Sequence, residues 1–428
     1  MDEATSMTQD EAHMTMPELI KAHGYIPEIH HIWTEDGYCL NVYRVLPSND
    51  QVPIKTDSIT NIDTAVIDNN SEDSNSSASP DCQRILEALK SSGADSKLPV
   101  IVNHGLLSSS ADWILLGPRK ALAYVLCDNG FDVWLANARG NTYSKGHKHY
   151  STKNRKFWDF SWHEIGYYDL PAMIDYILEK TDHSELYFIG HSQGTTTFYV
   201  MLSERPEYNS KIKGMISLAP IAFLSNQRSP LFKYLVYFND ILEWFQCFHW
   251  SSYFFNFQHF PRNKWQTRVF GTLVRNAPYA VTKSICNYWL YLVAGFGSDQ
   301  LDKSMLPLIL AHFPAGAAIK QIVHYGQLIS SGCFQKYDYG AKENLKIYGS
   351  TEPPKYNLEK IKVPVAIFYS DNDFLTHYTD VQKLMNRLSN VIEVKKISYE
   401  KFNHIDYLWG RDARTLLYNC IVITLKKF

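Results

Sequence analysis

No apolar run in the sequence approaches the roughly 20 residues that a membrane-spanning helix needs; the nearest is the short stretch Tyr288 to Phe296. A soluble protein is expected. The chain opens Met1-Asp2-Glu3-Ala4-Thr5-Ser6-Met7 and continues acidic and polar, without the basic start and apolar core of a secretory signal. Either the protein is cytosolic or its signal is missing from this sequence. Charge of one sign is also missing: 42 Lys and Arg stand against 44 Asp and Glu, a net charge of −2. That balance gives no electrostatic reason to bind nucleic acid or an anionic membrane surface, so no nucleic-acid partner is expected. The seven cysteines (Cys39, Cys82, Cys127, Cys247, Cys286, Cys333, Cys420) include no C-x-x-C pair and no His-flanked spacing, which speaks against a zinc site. Their odd number leaves at least one thiol free, and seven in so long a chain is no disulfide framework.

What is present is a globular composition: 45% apolar and 20% charged residues over 428 positions, enough apolar material for a core. The aromatic content, 14%, suits core packing first and an apolar ligand surface second. Residues 1–15 read as a disordered N-terminus. Residues 48–98, with Asn69-Asn70-Ser71-Glu72-Asp73-Ser74-Asn75-Ser76-Ser77, show no apolar period and read as a mobile acidic loop. Asn69 and Asn75 head the two N-x-Ser/Thr sequons, open to glycosylation if the chain is secreted and otherwise expected by chance in an Asn/Ser-rich loop.

Before that loop, Glu28 to Trp33 and Tyr38 to Val45 read as strands joined across Glu35-Asp36-Gly37, where Asp-Gly suits a tight hairpin. After it, strands near Pro99 to Asn103, Phe131 to Leu135, Leu186 to Ile189 and Ile212 to Leu218 alternate with amphipathic helices. Alternation of this kind predicts an α/β fold, a mostly parallel sheet with helices on both faces. It stops near Pro220 and resumes at Val365 to Tyr369, followed by a helix near Asp380 to Leu388 and a strand near Val391 to Ile397. The expected division is a core of residues 16–220 and 361–428 interrupted by an aromatic, helical cap of residues 221–360, which contains Leu231 to Phe238 and Tyr253-Phe254-Phe255.

Gly190-His191-Ser192-Gln193-Gly194 follows one predicted strand and precedes a helix-compatible stretch, the context a nucleophile elbow requires. The two glycines permit a sharp turn, and Ser192 is expected in strained dihedrals with its hydroxyl presented, backed by a helix N-terminus that favours negative charge. Partners follow in the order Ser, acid, His. The acid candidates are Asp371 and Asp373, both just after the strand Val365 to Tyr369, and the residues alone leave the choice open. His404, in Phe402-Asn403-His404-Ile405-Asp406, is the candidate base. The two oxyanion donors expected are the backbone N–H groups of Gln193 and of Leu106, the latter in His104-Gly105-Leu106-Leu107 directly after the strand Pro99 to Asn103.

Taken with these motifs, Thr34-Glu35-Asp36-Gly37-Tyr38, Trp113, Asn137-Ala138-Arg139-Gly140-Asn141 and Tyr168-Asp169-Leu170-Pro171-Ala172 complete a pattern, as do Pro314-Ala315-Gly316, Tyr337-Asp338-Tyr339-Gly340 and Asn403-His404-Ile405-Asp406. In these segments the chain closely resembles the acid lipases, the group of gastric and lysosomal acid lipase and their insect relatives, over nearly its whole length outside residues 48–98. The resemblance implies an α/β-hydrolase fold with an inserted cap and movable lid over an apolar acyl pocket. It implies hydrolysis of neutral lipid esters, triacylglycerols or cholesteryl esters, at a lipid–water interface, with no metal or organic cofactor; no stable protein partner is expected. It also places the catalytic aspartate on Asp373, because the family's acid is followed by two apolar residues, here Phe374-Leu375. Secretion or lysosomal residence is implied too, against the missing signal. The chain departs from the family in the long insertion and in its cap disulfide, since Cys286 matches one half while Ala277 stands nine residues earlier. A carboxylesterase or acyltransferase could use the same residues, and a non-catalytic lipid carrier could share the scaffold.

Overall fold

The computed structural model describes residues 11–48, 98–230, 232–233, 259–260 and 295–428. The sequons Asn69 and Asn75, the Cys286/Ala277 pair, the aromatic stretches beyond residue 233 and nearly all of the 48–98 insertion lie outside the described residues.

Eight main strands form one sheet among the described residues: β1 (Tyr25–Trp33), β2 (Tyr38–Pro47), β3 (Pro99–Asn103), β4 (Asp132–Leu135), β5 (Leu186–His191), β6 (Ile212–Leu218), β7 (Val365–Tyr369) and β8 (Val391–Lys396). Their spatial order is β1-β2-β4-β3-β5-β6-β7-β8, and a two-residue piece, Gly146–His147, adds to β2. β2 is antiparallel to both its neighbours, and every other pairing of the eight is parallel. Gly37, in the predicted hairpin, has φ +96°, the conformation for which the Asp-Gly step is suited.

The central strands β3, β4 and β5 are buried along their whole length, as a sheet covered on both faces demands. Alternation then divides their side chains between two cores. Val100 and Val102 pack on one side with Leu122, Val125 and Ile421, while Ile101 packs on the other with Met173, Ile177 and Phe198. The edge strand β8 alternates half-buried and exposed positions instead.

Among the described residues the main helices are α1 (Met16–Ala22), α2 (Leu122–Asp128), α3 (Leu170–Thr181), α4 (Gln193–Glu204), α5 (Leu306–His312), α6 (Ile319–Ser331), α7 (Ala341–Tyr348), α8 (Tyr378–Met385), α9 (Asp406–Trp409) and α10 (Asn419–Leu425). α5, α6 and α7 belong to the segment inserted between β6 and β7, which are themselves adjacent and parallel. Leu308 and Ile309 of α5 join one core and Tyr325 and Leu328 of α6 the other, so this part of the insertion is built into the body.

The expected disorder of residues 1–15 does not hold over residues 11–15. Glu11 is buried with its carboxylate 3.2 Å from His23 Nε2, and the Thr15 backbone N–H donates to the Glu18 carboxylate at 2.6 Å. Composition alone reads as a tail here, but the buried His23 supplies a partner that no local pattern reveals.

Candidate active site

β5 ends at His191 and α4 starts at Gln193, leaving Ser192 alone at the turn with φ +52° and ψ −120°. A non-glycine residue held there stores strain of about 1–3 kcal/mol, which the surroundings must enforce. They do so through the Ser192 N–H, which donates to Leu218 O at 3.0 Å, and through Thr195, whose N–H and Oγ1 donate to Ser192 O at 2.9 and 2.7 Å. The flanking glycines answer to space. A Cβ on Gly190 would lie 2.8 Å from the Gly194 carbonyl carbon, and one on Gly194 only 2.5 Å from Asn103 O.

Asp373 follows β7 and is fully buried. Its Oδ2 lies 2.7 Å from His404 Nδ1, and its Oδ1 accepts the backbone N–H groups of Leu375 and Thr376 at 2.8 and 2.9 Å. Asp371 is exposed and ion-paired with Lys396. Of the two carboxylates the sequence left open, only Asp373 meets the candidate base.

His404 stands between β8 and α9. Next to the candidate nucleophile, His191 Nε2 donates to the His404 backbone carbonyl at 3.1 Å, and the two rings lie 4.8 Å apart. Among the described residues His191 Nδ1, which is buried, has no hydrogen-bond partner, and burial, with His404 nearby, holds the imidazole well below its ordinary pKa and therefore neutral. The sequence carries no sign of this bridge, since His191 is only the variable position of G-x-S-x-G.

Leu106 lies in the loop after β3, beside the elbow: a Cβ on Gly105 would stand 3.2 Å from Ser192 Cβ. His104 shapes this loop. Its Nε2 accepts the Ala138 N–H at 3.1 Å, so its Nδ1 donates to Gly105 O at 2.8 Å, and burial lowers its pKa to about 4. Leu107 takes a left-handed φ of +63°, and its carbonyl accepts the Ala315 N–H at 2.6 Å, tying the loop to the inserted segment.

The same segment reaches the acid and base loops. Asn372 Nδ2 donates to Phe296 O at 3.0 Å, Asn403 Nδ2 to Gly295 O at 3.1 Å, and Ser298 Oγ to Asp406 Oδ2 at 2.6 Å. Burial raises the Asp406 carboxyl to about 7. None of these contacts has a short-range signal in the sequence. Among the described residues no group of three His, Cys, Asp or Glu side chains is arranged to hold a metal ion.

The family model for the alpha/beta hydrolase fold matches residues 99–411, and a partial alpha/beta-hydrolase lipase region matches residues 16–117. Lipase 3 of Drosophila melanogaster is 41% identical over 78% of this chain and 84% of its own length. Lipase 1 of the same fly is 35% identical over 97% of this chain and 80% of its own, and gastric triacylglycerol lipase of Bos taurus 33% over 96% and 91%. A solved structure from Sulfolobus solfataricus superposes with a TM-score of 0.55 at 14% identity, covering 94% of this chain and 95% of that one, a likeness of fold alone. The chain belongs to the lipase family of the α/β-hydrolase fold, a family of carboxylic ester hydrolases. No helix among the described residues is long and apolar enough to cross a membrane.

Proposed function

We propose that the protein hydrolyses neutral lipid esters, triacylglycerols or cholesteryl esters, with Ser192 as nucleophile, His404 as base and Asp373 as the acid that orients it. The observation that carries this reading is the 2.7 Å bond between Asp373 and His404, in a loop bonded through His191 to the strained turn at Ser192. His404 removes the Ser192 proton as Oγ attacks the ester carbonyl, and the tetrahedral oxyanion is received by the backbone N–H groups of Leu106 and Gln193. Collapse expels the alcohol, protonated by His404, and leaves an acyl-Ser192. Water, deprotonated by His404, then attacks the acyl carbon; a second collapse releases the fatty acid and returns the proton to Ser192. Asp373 holds the Nδ1–H tautomer and balances the imidazolium charge through both steps.

The name of the bovine relative, a triacylglycerol lipase, supports the substrate class. We infer that the segment 221–360 supplies the cap over the acyl pocket, anchored to the body through α5 and α6, and that residence is secreted or lysosomal. The test is hydrolysis of emulsified triolein beside short-chain and long-chain p-nitrophenyl esters across pH 4 to 8, by wild type and Ser192→Ala. Triolein hydrolysis that vanishes in the variant is the expected result. Activity confined to short, soluble esters would make the protein a carboxylesterase instead, and a folded protein inactive on all of them would be a lipid carrier.

A further inference from the structure

Two helices meet behind Ser192. Gln193, the first residue of α4, donates from Nε2 to Gln321 Oε1 on α6 at 2.8 Å, and both side chains are buried. One turn further along, Tyr325 OH donates to Thr196 Oγ1 at 3.0 Å, and Thr196 Oγ1 donates to Ile221 O at 2.7 Å. Gln193 and Thr196 are three apart on α4, and Gln321 and Tyr325 four apart on α6, so each pair shares a helix face. α6 therefore holds the first turn of α4 at two points.

The hydrolytic scheme does not consume these contacts. It asks only for the backbone N–H of Gln193, which at the first position of a helix has no acceptor within the helix. The direction of that N–H follows the orientation of the residue as a whole. A side chain tethered at its far end removes the rotations by which the residue could turn away. α6 also follows directly on Ala317–Ala318, which pair with His259–Phe260 inside the insertion. The tether thus comes from the inserted segment and reaches the catalytic turn.

We propose that Gln321 is a positioning residue, holding the Gln193 side chain so that the Gln193 backbone N–H faces the developing oxyanion. The proposal rests on the reading of Gln193 as an oxyanion donor. A double-mutant cycle on the whole chain tests it, with Gln321→Met, Gln193→Met and the pair, reading kcat and KM on p-nitrophenyl butyrate together with melting temperature. Complete loss of an oxyanion donor lowers kcat about 10²–10³-fold, so loosening one is expected to lower it about 10-fold, with KM within about twofold. The pair should fall no further than either single variant. Unchanged kcat in Gln321→Met, or losses that multiply in the pair, would overturn the proposal, whereas a purely structural role would move melting temperature without separating kcat from KM. Should Gln321→Met fail to fold, Gln321→Asn withdraws the acceptor by one carbon; a kcat at least about threefold lower is expected, and an unchanged kcat overturns the proposal. Activity persisting in Ser192→Ala would instead overturn the underlying reading of the site.

Discussion

His191 and His404 are joined by a hydrogen bond from one side chain to the other's backbone, His191 Nε2 donating to His404 O at 3.1 Å. The bond links the residue before the candidate nucleophile to the candidate base itself, so the relative placement of the two loops depends on a neutral imidazole with one N–H. Replacing His191 by Phe keeps a ring and removes the donor. The expected outcome is a kcat about 10-fold or more below wild type, since a misplacement near 1 Å can cost about 10²-fold. Steady-state kinetics on a soluble ester, with circular dichroism to verify folding, checks it.

Asp373 and Asp371 stand two residues apart with opposite surroundings, one fully buried against His404 and the other exposed beside Lys396. Asp373→Asn is expected to lower kcat about 10³–10⁴-fold, the cost of a wrong histidine tautomer, while Asp371→Asn stays within about twofold of wild type. Equal losses in both would show that the loop, rather than one carboxylate, matters.

Stability should depend on pH through Asp406. Its carboxyl is raised by burial to about 7, from the 3.8 ordinary for an aspartate. Between about pH 4 and 7 the folded state therefore binds the proton that the unfolded state has released, and this contribution is complete below pH 4 and lost as pH rises through 7. Asp112, also raised to about 7 by burial, acts in the same direction. His104 and His312, each lowered to about 4 by burial, act oppositely between pH 4 and 6.5 and weaken the fold in acid. The melting-temperature advantage of wild type over Asp406→Asn is thus expected to be largest near pH 4–5 and to shrink towards pH 8. A constant difference would mean that Asp406 does not titrate in this range.

Arg139 is buried between two carboxylates, its Nη2 2.8 Å from Asp36 Oδ1 and its Nε 2.7 Å from Asp169 Oδ1, with the guanidinium 4.0 Å over the Tyr38 ring. It joins the β1–β2 hairpin to the loop after β4 and to the start of α3. Lysine cannot reproduce the fork, and Arg139→Lys should lose about 3–5 kcal/mol, as broken buried pairs do, with little change in kcat of the folded fraction. Urea denaturation measures the loss; less than about 1 kcal/mol would mean the network is replaceable.

The parts of the site legible in the sequence were those tied to one chain segment. Ser192 declares itself because two glycines and a strand–helix junction are needed within five residues, and the strands themselves follow from runs such as Pro99 to Asn103 that are buried on both faces. The residues alone could not separate Asp371 from Asp373, since both follow β7 and the distinction lies in which side chain turns inward. His191, Gln321 and Asp406 were invisible as site residues because their partners lie 213, 128 and 108 positions away. Contacts of that range leave no periodic or motif signal. Glu11 reads as tail for a different reason: its partner His23 is only 12 positions away, at the far end of α1, but neither residue belongs to an apolar period that would mark the pair as buried.

The central claim is that Ser192 is the nucleophile, and covalent trapping tests it most directly. Wild type and Ser192→Ala would be treated with a p-nitrophenyl alkylphosphonate, which transfers its phosphonyl group to an activated serine, and the modified residue located by peptide mass spectrometry. The account predicts a single adduct on Ser192, stoichiometric with loss of ester hydrolysis, and no adduct in the variant. An adduct on another residue, or hydrolysis that survives in Ser192→Ala, would contradict it.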